Sequence, residues 1–272
     1  METAPQTLIA ALRHSHERLA SLVHAVSEDF LTSRSYCADW TVAQVLSHLG
    51  SGAEISQMML ESTLSGAPMD RDAFPAVWDQ WNGKTPVQQA ADCLPADEAQ
   101  ISRLEGLSQA ELDGLSLDFF GMKLDAAGVV RLRLSEHAMH TWDVAAAIDP
   151  VAVVAPDAAA LLTGQASWLA ERTGRPGDQP FRVRLRGTNP DVDLLLDVTD
   201  KVTLAPWPAD TAADGAPTGG LAASAPDGEI LMPGEAVLRL LYGRLDPAHT
   251  PPAEVRPGPA LLDQVRAVFP GF

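Results

Sequence analysis

The stretch "SEHAMHTWDVAAAI", residues 135–148, places Glu136, His137, His140 and Asp143 in an otherwise apolar run. Leu134, Ala138, Met139, Trp142, Val144 and Ala145 surround them, and such a pattern reads as a mostly buried helix. Polar groups on a buried helix cost free energy unless hydrogen bonds, solvent or an ion compensate them. Residues four apart lie on one helix face, so Glu136 and His140 share a row that Asp143 continues. His137 lies about 100° round from Glu136. An inward polar row of this kind is what a metal site in a helical bundle requires.

A second candidate precedes it. In "DWTVAQVLSHLG", residues 39–50, Val42, Val45, Leu46 and Leu49 mark a buried helical face, with His48 on its border. Thr41 and Gln44 have capping-box spacing, which starts the helix. Alone, His48 reads more readily as a core histidine than as a ligand. Glu136 and His140 alone read equally as a surface pair. Together the three supply two nitrogens and an oxygen, a set suited to catalytic zinc with one coordination position open.

The rest of the chain sets the frame. Helical periodicity covers 5–27, 41–64 and 126–148; a loop with Trp78 and Trp81 is expected at 65–84. A further helix should start near Thr85 or Asp97 and reach Leu107, with Pro95 breaking any continuous run. "LSLDFFGMKLD" suits a short strand or extended connection. Beyond a Pro-punctuated linker, "DPVAVVAP", comes one helix at 156–173. The alternating "FRVRLRG", "DLLLDV" and "KVTLA" follow as strands, then a flexible low-complexity stretch over 211–228. "GEAVLRLLYGRLDP" and "PALLDQVRAVF" suit two short helices. The expected class is α+β: a four-helix bundle over residues 1–152 and a smaller α+β domain over 153–272.

The 272 residues are 46% hydrophobic and 20% charged, a globular composition. A net charge of -17 repels phosphates and anionic lipid, so nucleic acid and membrane are poor partners. No apolar run approaches the roughly 18 residues of a membrane span, and no basic start followed by an apolar run suggests a secretory leader. Cys37 and Cys93, without a Cys-x-x-Cys, read as small buried hydrophobes in a reducing, cytoplasmic protein. His14, His16 and His24 read as surface or core-edge residues, and Arg182, Arg184 and Arg186 as a solvated strand face.

Trp40, Thr41, His48, Glu136, His140, Trp142 and Asp143 stand in the order Trp-Thr, His, Glu-x-x-x-His-x-Trp-Asp. This pattern resembles the mycothiol-dependent maleylpyruvate isomerase family, within the DinB-like metal-binding bundles. "MPGEAVLRLLYGRLD" and "LLDQVRAVF" resemble the family's sterol-carrier-like C-terminal domain, while 186–228 matches nothing in it. The resemblance implies a divalent metal, usually zinc, on His48, Glu136 and His140, and mycothiol as thiol cosubstrate. It implies a small, anionic substrate undergoing cis–trans isomerisation or S-transfer. Asp143 is the candidate for orienting an imidazole. The resemblance also implies a C-terminal arginine in catalysis, for which Arg244 is the best match and Arg239 the second. An Arg fork binds carboxylate, and a cation at a helix end is equally well explained by the helix dipole. Two other classes stay open: a non-enzymatic metal- or ligand-binding protein, and a metal-dependent hydrolase.

Overall fold

The computed structural model describes residues 3–37, 39–119, 121–208 and 225–271. They form two compact units, residues 1–158 and 159–272.

The first unit is helical. Helix α1 (Pro5–Ala25) starts on a proline and buries Leu8, Leu12 and Leu19. Helix α2 (Val42–Ser65) is capped by Thr41: its hydroxyl accepts from the Gln44 amide at 3.2 Å, and the Thr41 amide donates to Gln44 Oε1 at 2.8 Å. A left-handed Gly66 ends it. Residues 65–84, expected as loop, hold a short helix instead, α3 (Phe74–Asn82), which buries Trp81. Trp81 packs over Gly50 of α2, where a Cβ would stand 2.2 Å from the indole ring. Helix α4 (Pro86–Glu105) begins at a Thr85–Gln88 capping box and runs through Pro95. Pro95 and Ala91, whose carbonyl loses its partner, both lie on the exposed face, where water can replace the missing bond. A short helix, α5 (Gln109–Gly114), leads into a hairpin of β1 (Leu117–Phe119) and β2 (Met122–Leu124). Asp125 caps α6 (Ala126–Ile148), its carboxylate accepting from the Gly128 amide at 2.7 Å. Helices α1, α4, α2 and α6 close a four-membered ring in that order, the bundle expected. Leu46, Leu49, Trp81, Cys93 and Val144 lie in its core.

Helix α7 (Pro156–Thr163) spans the division between the units. The single helix expected at 156–173 is broken after Thr163 at Gly164, the residue least favoured in helices after proline, and resumes as α8 (Ala166–Thr173).

The second unit is α+β. Strands β3 (Phe181–Thr188), β4 (Val192–Val198) and β5 (Val202–Pro206) form an antiparallel meander. Strand β6 (Gly228–Pro233) then pairs parallel with β3, and helix α9 (Gly234–Leu241) packs on both. Strand β7 (Glu254–Arg256) adds antiparallel to β6, and helix α10 (Ala260–Val268) follows. The sheet order is β5-β4-β3-β6-β7. Phe181, Val183 and Leu185 are buried. The opposite face of β3 is a ladder of ion pairs: Arg182 meets Asp197, Arg184 meets Asp193, and Arg186 meets Glu229. The expected solvated arginine face is partly exposed and carries cross-strand carboxylate partners. Most of the expected low-complexity stretch, residues 211–224, lies outside the described residues. Among the described residues no helix is long and apolar enough to cross a membrane.

Candidate metal centre

The capping box fixes where α2 begins, and His48 follows two turns later on the side facing α6. There His48 Nε2 lies 3.2 Å from Glu136 Oε2, and His140 Nε2 lies 3.7 Å from the same oxygen. The two imidazoles meet edge-on with centroids 4.7 Å apart. Trp40 covers both, 5.2 Å from the His48 ring and 6.0 Å from that of His140. One donor atom from each of His48, Glu136 and His140 lies within 4.8 Å of the others.

His140 is held from behind. Its Nδ1 lies 2.8 Å from Asp143 Oδ2, and Asp143 has no exposed surface. An ionised carboxylate only accepts, so Nδ1 carries a proton; when Nε2 gives up its own, a lone pair faces Glu136. The same Asp143 oxygen receives the Cys37 thiol at 3.1 Å. Cys37 is therefore a half-buried hydrogen-bond donor at the site rather than a bland core residue. Cys93 is buried, which pushes its thiol pKa up and leaves it protonated.

Crowding around the Glu136 carboxylate raises its pKa. The hydrogen bond from His48 and the charges of His140, His48 and Arg133 outweigh that and hold it at about 2. Glu136 is thus ionised and a competent oxygen ligand at any ordinary pH. Four-coordinate zinc with bonds of about 2.1 Å separates its ligand atoms by about 3.4 Å. The two observed separations, 3.2 and 3.7 Å, bracket that value, and the nitrogen–nitrogen–oxygen set suits zinc.

His137 turns the other way. Its Nε2 lies 2.7 Å from Asp97 Oδ2, and its Nδ1 lies 2.8 Å from Ser15 Oγ. His16 Nδ1 reaches the same Asp97 oxygen at 2.8 Å. The other Asp97 oxygen accepts from Arg133 Nη2 at 2.7 Å. His16, expected at the surface or core edge, is buried because this carboxylate receives it. Burial raises the Asp97 pKa, but the charge and hydrogen bond of His137, then His16 and Arg133, hold it well below the usual range. This knot joins α1, α4 and α6. The two histidines and the carboxylate form a second group that could hold a metal, and Arg133 already neutralises the charge of Asp97 through its other oxygen. Sequence reasoning missed Asp97 and Arg133. The available signal was Arg133-x-x-x-His137, a second polar pair on the buried stripe of α6.

In the second unit Arg244 is 8% exposed and donates from Nη1 to the Tyr242 carbonyl at 3.2 Å. It is a buried residue following α9, not a solvated helix-end cation. Arg239 is paired with Glu235 at 2.7 Å and donates to the carbonyls of Arg244 and His249.

A helical bundle carrying two histidines and a glutamate on facing helices, followed by an α+β unit, defines a two-domain protein with a candidate metal centre in its bundle. Residues 12–145 match the family described as mycothiol maleylpyruvate isomerase N-terminal domain, and this segment of the chain belongs to that family. A crystal structure of the mycothiol-dependent maleylpyruvate isomerase has the same fold. It aligns with a TM-score of 0.64 at 12% identity over 94% of this chain and 95% of that one. A histidine-to-alanine mutant of the mycothiol-dependent isomerase aligns at 0.61 and 12% identity, over 89% and 90%. No curated protein sequence matches the chain.

Proposed function

We propose that the protein is an enzyme of the maleylpyruvate isomerase type. It would use mycothiol and a divalent ion, zinc, held by His48, Glu136 and His140. The observation that carries this reading is the convergence of those three donors, with Asp143 fixing the lone pair of His140. An ion held there by His48, Glu136 and His140 would supply Lewis acidity and would lower the pKa of a bound thiol.

The chain's own residues do the remaining work. Glu136 brings a full negative charge to the ligand set. Asp143 orients His140, and Trp40 shields both imidazoles from water on one side. Arg244 is the candidate fork for a substrate carboxylate. In an isomerisation a carbon–sulfur bond forms at the cis alkene, and the electron pair moves onto the conjugated carbonyl. The former double bond rotates, and the same carbon–sulfur bond breaks. In S-transfer that bond stays, and the electron pair returns to carbon to take up a proton from solvent.

The test is turnover of cis-configured unsaturated dicarboxylates by the zinc-loaded protein with mycothiol, following thiol and product. Isomerised product with thiol recovered identifies an isomerase; thiol consumed one-for-one identifies a transferase. Asp143→Asn is expected to weaken metal affinity about 10- to 100-fold. Turnover that persists at full rate without thiol would overturn the reading in favour of a hydrolase.

A further inference from the structure

A cavity of about 210 Å³ opens in the bundle beside the candidate metal centre. Ile55, Met59 and Trp78 contribute to a mainly apolar wall, and Glu136, Gln100 and Arg133 to its polar edge. Its volume lies below the ~300 Å³ at which drug-sized sites begin, so its occupant is small.

Arg133 is the unusual member. Its side chain is 6% exposed. Nε donates to Gln100 Oε1 at 2.9 Å, and Nη2 donates to Asp97 Oδ1 at 2.7 Å and to the Leu49 carbonyl at 3.0 Å. Nη1 donates to none of the described residues. Nη1 is not among the fully buried unpartnered atoms, so it keeps accessible surface from which it can donate to a molecule in the cavity.

Gly52 shows the approach to it. It lies inside α2 without a positive φ, so the backbone does not demand glycine there. A glycine in a helix interior costs about 1 kcal/mol relative to alanine. The one atom within 4 Å of the place its Cβ would take is Arg133 Nη1, at 3.1 Å. Gly52 also lines the cavity. The missing side chain leaves Nη1 accessible from the cavity.

We propose that this cavity is a substrate subsite for a small apolar molecule ending in one oxygen acceptor, a carbonyl or carboxylate, anchored by Arg133 Nη1. The apolar wall selects the body. Arg133 already shares its charge with Asp97, and Glu136 shares the polar edge, so a second carboxylate finds no lysine or further arginine among the described lining residues. Without an ion on His48 and Glu136, which also line it, the cavity therefore anchors one acceptor; the second carboxylate of a dicarboxylate substrate would be left to that ion. This deepens the proposed function and rests on it only in calling the occupant a substrate.

The test is calorimetric titration of the full chain, without added metal or thiol. Phenylacetate supplies ring and acceptor, and phenylacetone is its neutral carbonyl counterpart. Acetate supplies the acceptor alone, benzylamine the ring with a cation, and maleate two carboxylates. Phenylacetate or phenylacetone is expected to bind about tenfold or more tighter than the other three, the scale of one hydrogen bond to a charged donor. Gly52→Ala, which places a methyl against Nη1 while favouring the helix, should lose about that factor. Met59→Trp, which fills the cavity, should abolish binding. Equal affinities across the probes, or wild-type affinity in both folded variants, would overturn the subsite. Phenylacetate binding without thiol-dependent turnover would defeat the proposed reaction and leave the subsite standing. Turnover without phenylacetate or phenylacetone binding would do the reverse.

Discussion

Asp97 has no exposed surface and receives His16, His137 and Arg133. Removing one member of such a buried set leaves uncompensated charge and costs about 3–5 kcal/mol. Asp97→Asn is expected to destabilise the protein by that order at pH 6. The aspartate's folded pKa lies below its ordinary 3.8, so its contribution is complete above that value and is lost as pH falls through the lower folded value. The stability gap between wild type and Asp97→Asn, read by urea unfolding, should therefore close at strongly acid pH. A gap of constant size down to pH 2 would count against the charge network as its source. At this scale the sequence was partly legible. Glu136 and His140 declared themselves because both lie on one helix at a fixed spacing. Asp97, His16 and Arg133 come from three helices, and periodicity within one helix says nothing about which groups meet across a bundle.

Helix α2 contains two glycines whose absent side chains serve different neighbours. Gly50 admits the Trp81 ring of α3, and Gly52 faces Arg133. Gly50→Ala would gain about 1 kcal/mol in helix propensity, yet its methyl would stand 2.2 Å from the indole. Overpacking costs about 1–3 kcal/mol, so the expected outcome is net destabilisation despite the better helix former. Thermal unfolding measures it, and an unchanged or raised midpoint would show that Trp81 moves freely. The ends of α2 and α6 were readable from caps and apolar spacing. Helix α3 was not, because Trp78 and Trp81 at i,i+3 were too short a pattern to separate from a loop. The continuity of α4 was hidden because Pro95 breaks a helix in isolation, while its position on the solvent face makes that break tolerable. Strand β7 carries three residues, too few for alternation to stand out.

On the whole-molecule scale, the chain carries a net charge of -17, which favours cations over anions at long range. A divalent ion that binds only the native bundle stabilises it by about 2.7 kcal/mol at a hundredfold excess over its dissociation constant. Calorimetric unfolding with zinc should show a raised transition that the combined His48→Ala and His140→Ala variant lacks; an identical shift in both would place the ion elsewhere. The composition changes after residue 149 marked the passage from helices to sheet. How α1, α4 and α6 align lengthwise had no such signal, because their leucine and alanine seams repeat every turn and could mesh at several offsets. The Asp97 knot removes that ambiguity. Sliding any one of the three helices by a single turn, about 5.4 Å, would strand a carboxylate or a guanidinium in the apolar interior. One aspartate thereby works as a detent for α1, α4 and α6, and the bond from Arg133 to the Leu49 carbonyl of α2 holds Glu136 and His140 level with His48.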